Sequence, residues 1–281
     1  MSRAALLLAA ALVLAGCGAS EESPGPAAPP ETTAAGETLP PPVETSDVVV
    51  YFARGEQVGA AHRVVPKTPR IGAAALEALL AGPTVLEQEA GLGTLIPAGT
   101  RLLGLTIEGG VAVVDLSREF ESGGGSLSMR MRIAQVVHTL TQFPTVERVG
   151  FLLDGEAVEG IGGEGVVVDP PVGRADFEDL APAILVESPT PGDVVTSPLE
   201  LRGTANTFEA TFMYRLEDWA GNTLVETFAT ATSGTGTRGT FDVTVPFAVE
   251  APGAGLLVVY ESSAEDGRPI HVVEIPVRLE P

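Results

Sequence analysis

The chain opens on an unbroken apolar run, residues 4–14 (AALLLAAALVL), preceded by Arg3 and followed by the small pair Ala15-Gly16. The run falls short of the roughly 20 apolar residues a membrane-crossing helix needs. A positive start, a short apolar core and small residues after it predict an export signal. Residues 18–46 then hold almost no large apolar side chain and are rich in Pro, Glu and Thr. Such a composition cannot bury enough surface to offset chain entropy, so it predicts a disordered tether, whose proline-rich chain would reach on the order of 90 Å at ~3.1 Å per residue.

From residue 47 the rhythm changes. DVVVYFA (47–53) reads as a buried strand. In KTPRIGAAALEALLAGP, Thr68 can cap a helix, Pro69 suits its first position and Gly82-Pro83 ends it. Ile71, Ala75 and Leu79 share one face of that helix. RLLGLTIEGGVAVVDLS predicts two strands about a Gly109-Gly110 turn. A second helix follows, with Met129, Ile133, Val136, Leu140 and Phe143 on one stripe and Pro144 as its stop. VERVGFLLDG adds a strand turned by Asp154-Gly155. Residues 47–162 thus predict one small α/β or α+β unit. Residues 163–182, a mixture of Gly, Pro and acidic residues, read as a linker with a short pairing strand at Val166–Val168. Residues 183–281 carry no helix signal but seven short strands between turn clusters. Phe212/Tyr214/Leu216, Phe241/Val243/Val245 and Ile275/Val277/Leu279 alternate. Seven alternating strands in about 100 residues predict an immunoglobulin-like β-sandwich.

Charge narrows the partners. The chain has 37 Asp and Glu against 16 Lys and Arg, a formal net charge of −21. No segment after the leader is basic, so nucleic acid finds no electrostatic footing, and the folded part would not adhere to anionic headgroups. Cys17 is the one cysteine, which excludes an internal disulfide and makes a poor start for a metal site. Its position gives it another use. Leu14-Ala15-Gly16-Cys17 resembles the lipobox of bacterial lipoproteins. The resemblance implies cleavage between Gly16 and Cys17, residues 1–16 being the signal peptide, and a diacylglycerol with palmitate-type chains on the sulfur. Two acyl chains suffice for stable anchoring, at ~0.8 kcal/mol per buried methylene.

The candidate chemistry is thin. VVDLSREFE places Asp115, Ser117 and two glutamates together, but a serine nucleophile needs a base. The nearest histidine in sequence, His138, lies within the second helix, and no G-x-S-x-G elbow occurs. Asp115 is expected instead to close an Asx-turn by accepting from the N–H of Ser117. GIGGEG has the form G-x-G-x-x-G, yet VVVDPP follows it, and a nucleotide loop would need a helix there. His62, His138 and His271 show no ligand spacing, and YESSAEDGRP lacks a calcium-loop pattern. No catalytic, cofactor-binding or metal-ligating residue is therefore assigned. Phe208, Trp219 and Phe247, near strand ends of the second unit, are the candidate interaction surface, with Trp219 in a DWAGN turn.

Two segments of the first unit, GLGTLIPAGTRLLGLTIEGGVAVVDLSREF and RIAQVVHTLTQFPTVERVGFLLDGE, resemble the GerMN domain of bacterial sporulation and spore-germination proteins. The shared positions include Thr94, Ile96-Pro97, Gly99-Thr100, Val114 to Ser117, Phe120, Gln135, Leu140-Thr141, Phe143-Pro144 and Asp154-Gly155. VESPTPGDVVTSPLELRGTANTFEATFMYRLED and GTFDVTVPF resemble the immunoglobulin-like domain that accompanies it. The resemblance implies an α+β fold similar to ring-building motifs, then the sandwich, and a non-catalytic module without cofactors. The expected protein is extracytoplasmic, held to the outer face of the cell membrane by its lipid. It would contact envelope proteins or peptidoglycan, with homo-oligomeric assembly left open. The alternative is a surface lipoprotein that takes a glycan or small molecule in the crevice between its domains.

Overall fold

The computed structural model describes residues 44–163 and 165–281. The signal, Gly16, Cys17 and most of the tether lie outside them. The first domain opens with a hairpin, β1 (Thr45–Arg54) and β2 (Gln57–Pro66), turned at Gly55 and Glu56. Its first strand is the expected one; β2 was not foreseen. Helix α1 spans Ile71–Leu80. Its cap position is Arg70, not Thr68, whose hydroxyl only accepts from the Arg70 N–H two residues on. Pro69 accordingly sits in the turn before the helix. Gly82, with φ +81°, closes the far end as expected, its N–H donating to the Leu79 carbonyl. A short helix α2 (Val85–Glu89) and strand β3 (Leu92–Gly93), paired to β1, precede the hairpin β4 (Leu102–Glu108) and β5 (Val111–Leu116). Gly109 and Gly110 turn that hairpin at φ +57° and +84°, the left-handed pair of a type I′ turn. Helix α3 (Ser126–Leu140) crosses over to β6 (Arg148–Leu153), which lies parallel to β5. Then β7 (Glu156–Ala157) turns back at Asp154-Gly155. The sheets are ordered β2-β1-β3 and β4-β5-β6-β7. Met129, Ile133, Val136 and Leu140 of α3 enter one buried cluster with Phe52, Leu76, Leu79, Val114 and Leu153.

The segment read as a linker is packed. β8 (Gly160–Ile161) and β9 (Val166–Val167) pair, Val172 bridges to Val149, and a 3-10 stretch covers Arg174–Leu180. Val168, Val172, Phe177 and Leu180 are buried in the first domain's core. Four apolar residues spaced among Gly, Pro and acids suffice for this, although bulk composition hides them.

The second domain is a sandwich of two sheets. One is β10 (Ile184–Ser188), β12 (Leu199–Ala205) and β15 (Gly239–Val245), in the order β10-β12-β15. The other is ordered β11-β17-β16-β13-β14, from β11 (Val194–Val195), β13 (Thr211–Asp218), β14 (Thr223–Thr230), β16 (Gly253–Ser262) and β17 (Pro269–Leu279). All seven expected strands are present, and β11 is an addition. The alternating residues Phe212, Tyr214, Leu216, Phe241, Ile275, Val277 and Leu279 form the core between the sheets.

Candidate functional site

The residues singled out for chemistry turn out to be structural. Ser117 is fully buried, and its hydroxyl accepts from the Arg101 N–H at 2.9 Å. Its own N–H donates to the Arg101 carbonyl, so the expected Asx-turn does not form. Asp115 instead accepts from the Gly155 N–H at 2.9 Å, which fastens the β6–β7 turn to β5. Gly160 and Ile161 of GIGGEG form β8, and the strand β9, not a helix, follows Gly165. Among the described residues no group of three His, Cys, Asp or Glu could hold a metal ion. His271 pairs with Glu261 (2.9 Å) in the second domain. His138 lies in the core of the first, its ring 5.3 Å from that of Tyr51.

The aromatic candidates separate. Trp219 is 80 % exposed and Phe208 53 %, but they flank opposite ends of β13 and cannot form one platform. Phe247 is only 9 % exposed and belongs to the sandwich core, so it leaves the candidate surface. An aromatic residue just past a strand end can still fold back over the open edge of a sandwich.

What sequence reading missed is the junction of the domains. The alternation of β10 sends Ile184 and Val186 into the sandwich core and Leu185 into the core of the first domain. Around that seam runs a polar network. Arg174 donates to Glu187 (2.9 Å), the Tyr51 hydroxyl (3.0 Å), the Thr141 hydroxyl (2.9 Å) and the His138 carbonyl (3.1 Å). Tyr51 itself donates to Glu187. Burial, with the Glu187 carboxylate beside it, pushes the Tyr51 phenol far up. Burial works against the Arg174 charge, but the Tyr51 oxygen and Glu187 outweigh it and raise its pKa. His62 meets Asp193 at 2.7 Å across the same seam, and Thr190 accepts from the His62 N–H. Burial opposes the His62 charge, yet the Asp193 hydrogen bond and charge carry its pKa upward. Arg238 adds a pair with Glu178 and a bond to the Pro182 carbonyl.

Two of the hollows that border this seam bear on binding. One, of about 270 Å³, is the interdomain crevice, lined by Val58, Ile184, Val186, Val273 and Ile275 with Arg54. The Arg54 guanidinium there donates to the carbonyls of Ala90 and Glu274, one from each domain. The other, of about 840 Å³, is an open groove between Leu86 and Ala90 of the first domain and Pro252, Ala254, Pro276 and Val277 of the second. Its first wall is α2, signalled in sequence by Thr84-Val85-Leu86-Glu87. The Thr84 hydroxyl accepts from the Glu87 N–H, and Glu87 accepts from the Thr84 N–H. That reciprocal box was legible as T-x-x-E.

Comparison with known proteins accords with this layout. Residues 49–159 match the Germane family model, described as sporulation and spore germination. Residues 183–268 match Gmad2, the immunoglobulin-like domain of bacterial spore germination. Among solved structures, the tandem GerMN domains of the Bacillus subtilis sporulation protein GerM align with 19 % identity and a TM-score of 0.42. That alignment covers 72 % of this chain and 62 % of theirs. The first of those domains alone aligns with 22 % identity and a TM-score of 0.40, over 47 % of this chain and 99 % of its own. A Clostridium perfringens protein provisionally described as a lipoprotein aligns with 25 % identity and a TM-score of 0.36, over 49 % of this chain and 93 % of that one. No curated protein matches the chain.

Proposed function

Because the chain joins a GerMN domain to a germination-type immunoglobulin-like domain, we propose that it is a non-catalytic protein of the cell envelope. A lipid on Cys17 holds it to the outer face of the cell membrane, and the folded part makes contacts with envelope proteins or the cell wall. The observation that carries this reading is the seam. Leu185 and the Arg174–Glu187–Tyr51 network fix one domain on the other. A pair of domains locked in this way presents a fixed composite surface, which serves recognition. The side chains that could have supplied a nucleophile and a base, Ser117 and His138, are buried, with Ser117 committed to a backbone bond.

Metabolic labelling with palmitate, followed by fractionation, tests the anchor. The parent chain is expected to incorporate label and sediment with membranes, and Cys17→Ala to lose both. An unprocessed, unlabelled chain in the cytosol would overturn the reading. A fluorophosphonate probe is expected to leave the folded chain unmodified; covalent labelling of Ser117 would refute its non-catalytic part.

A further inference from the structure

The open groove beside α2, of about 840 Å³, continues past its own walls. A second hollow, lined by Trp219, Leu224, Val249, Ala251 and Leu279, shares Gly253 and Ala254 with it. Leu86 stands at one end, 47 % exposed, and Trp219 at the other, 80 % exposed. Val85, beside Leu86 on the same short helix, is exposed too. An apolar trough spanning both domains is therefore open to solvent. Contiguous exposed apolar surface of this kind marks a contact site.

The surrounding chemistry says what fits. The floor strands β16 and β17 are each paired on both sides, in the order β11-β17-β16-β13. At the trough itself Gly253 and Ala254 pair only with Leu279 and Arg278 of β17, and Pro276 has no N–H to donate, so an occupant binds mainly through the apolar side chains of the lining. An apolar helix face laid in a groove does this. The rim is acidic. Glu89, Asp218 and Glu250 line the two hollows, and neither Glu89 nor Glu250 has an ion pair among the described residues. The one rim cation, Arg278, reaches Glu280 at 3.3 Å and is offset by it. A second copy of a chain carrying −21 would bring like charge to like charge. We propose that this trough receives a basic amphipathic helix of a partner protein, its apolar face resting between Leu86 and Trp219 and its Lys or Arg residues facing Glu89 and Glu250. The proposal deepens the reading of the chain as a contact protein and rests on it.

Trp219 is the single tryptophan of the chain, so its emission reports occupancy directly. Both hydrophobic cores and the seam lie within the described residues, so residues 18–281 are a sufficient sample. The probe is an 18-residue leucine/lysine helix, with a leucine/glutamate helix of the same pattern as control. The lysine peptide is expected to blue-shift Trp219 emission saturably, and the glutamate peptide to leave it unchanged. Leu86→Asp is expected to weaken binding at least tenfold while the circular dichroism melt is retained. Val167→Asp, an exposed change elsewhere in the first domain, should leave binding as it was. The pair Glu89→Lys and Glu250→Lys should exchange the preference between the peptides. Equal response to both peptides, no response, binding indifferent to Leu86→Asp, or self-association by light scattering would each overturn the proposal. None of these results bears on Cys17 labelling, so the two readings can fail separately.

Discussion

Inside the first domain, the imidazole of His138 has no hydrogen-bond partner on either nitrogen among the described residues. Burial, helped by the charges of Arg174 and Arg238, drops its pKa well below the ordinary value. An unfolded chain would take up a proton near pH 6.5 that the folded chain refuses. Stability therefore falls as pH drops below about 6.5, by up to ~1.4 kcal/mol per pH unit. His62 works in the opposite sense, since its folded pKa is raised through Asp193. Its contribution is complete below the unfolded pKa and is lost as pH rises through the folded one. His138→Leu keeps an apolar contact with Tyr51 and removes the proton uptake. It is expected to gain stability over the parent at pH 5, by at most about 2 kcal/mol relative to any difference at pH 8. Melts at the two pH values that shift in parallel would refute this. His138 was legible as a residue beside an apolar stripe. Its isolation was not, because the Tyr51 ring and the 3-10 stretch that enclose it come from distant parts of the sequence.

Elements declared themselves where local chemistry and tertiary packing agree. Gly109-Gly110, Asp154-Gly155 and Gly82 each occupy the left-handed backbone their turns require, and each was readable. Strand β2 was not, because its centre, Gly59-Ala60-Ala61, has little strand propensity of its own. Space explains that choice: a Cβ on Gly59 would come within 2.6 Å of Leu92. Pairing to β1 along ten residues then imposes the strand. The segment 163–182 misled for the converse reason, its four anchoring side chains being diluted by Gly, Pro and acid. Phe177→Ala measures what the anchors contribute. It is expected to lower the first domain's stability by about 3–4 kcal/mol, as for other buried phenylalanines. A urea midpoint within error of the parent would restore the segment to a passive linker.

At the scale of the whole molecule, the question is whether the domains unfold as one. A seam built from Leu185, Arg174–Glu187–Tyr51, His62–Asp193 and Arg238–Glu178 argues that they do. None of these pairs was readable in advance, since the partners lie 13 to 136 residues apart and carry no motif. Their worth also depends on how dry the seam is. Arg174 and Glu187 keep roughly a quarter of their side chains wet, at 29 % and 24 % exposure. Breaking the pair should thus cost less than the ~3–5 kcal/mol of a fully buried one. Glu187→Ala leaves the Arg174 charge and the Tyr51 hydroxyl without their shared acceptor, and is expected to cost about 2 kcal/mol. Calorimetry should then resolve the parent's single transition into two. Arg174→Met combined with Glu187→Leu removes both charges and fills similar volume, and should recover the part of that loss due to the unpaired charge, the Tyr51 hydroxyl staying without a partner. If the parent already melts in two steps, or Glu187→Ala still melts in one transition at the parent's midpoint, the seam does not couple the domains. The trough between Leu86 and Trp219 would then have no fixed shape to offer a helix.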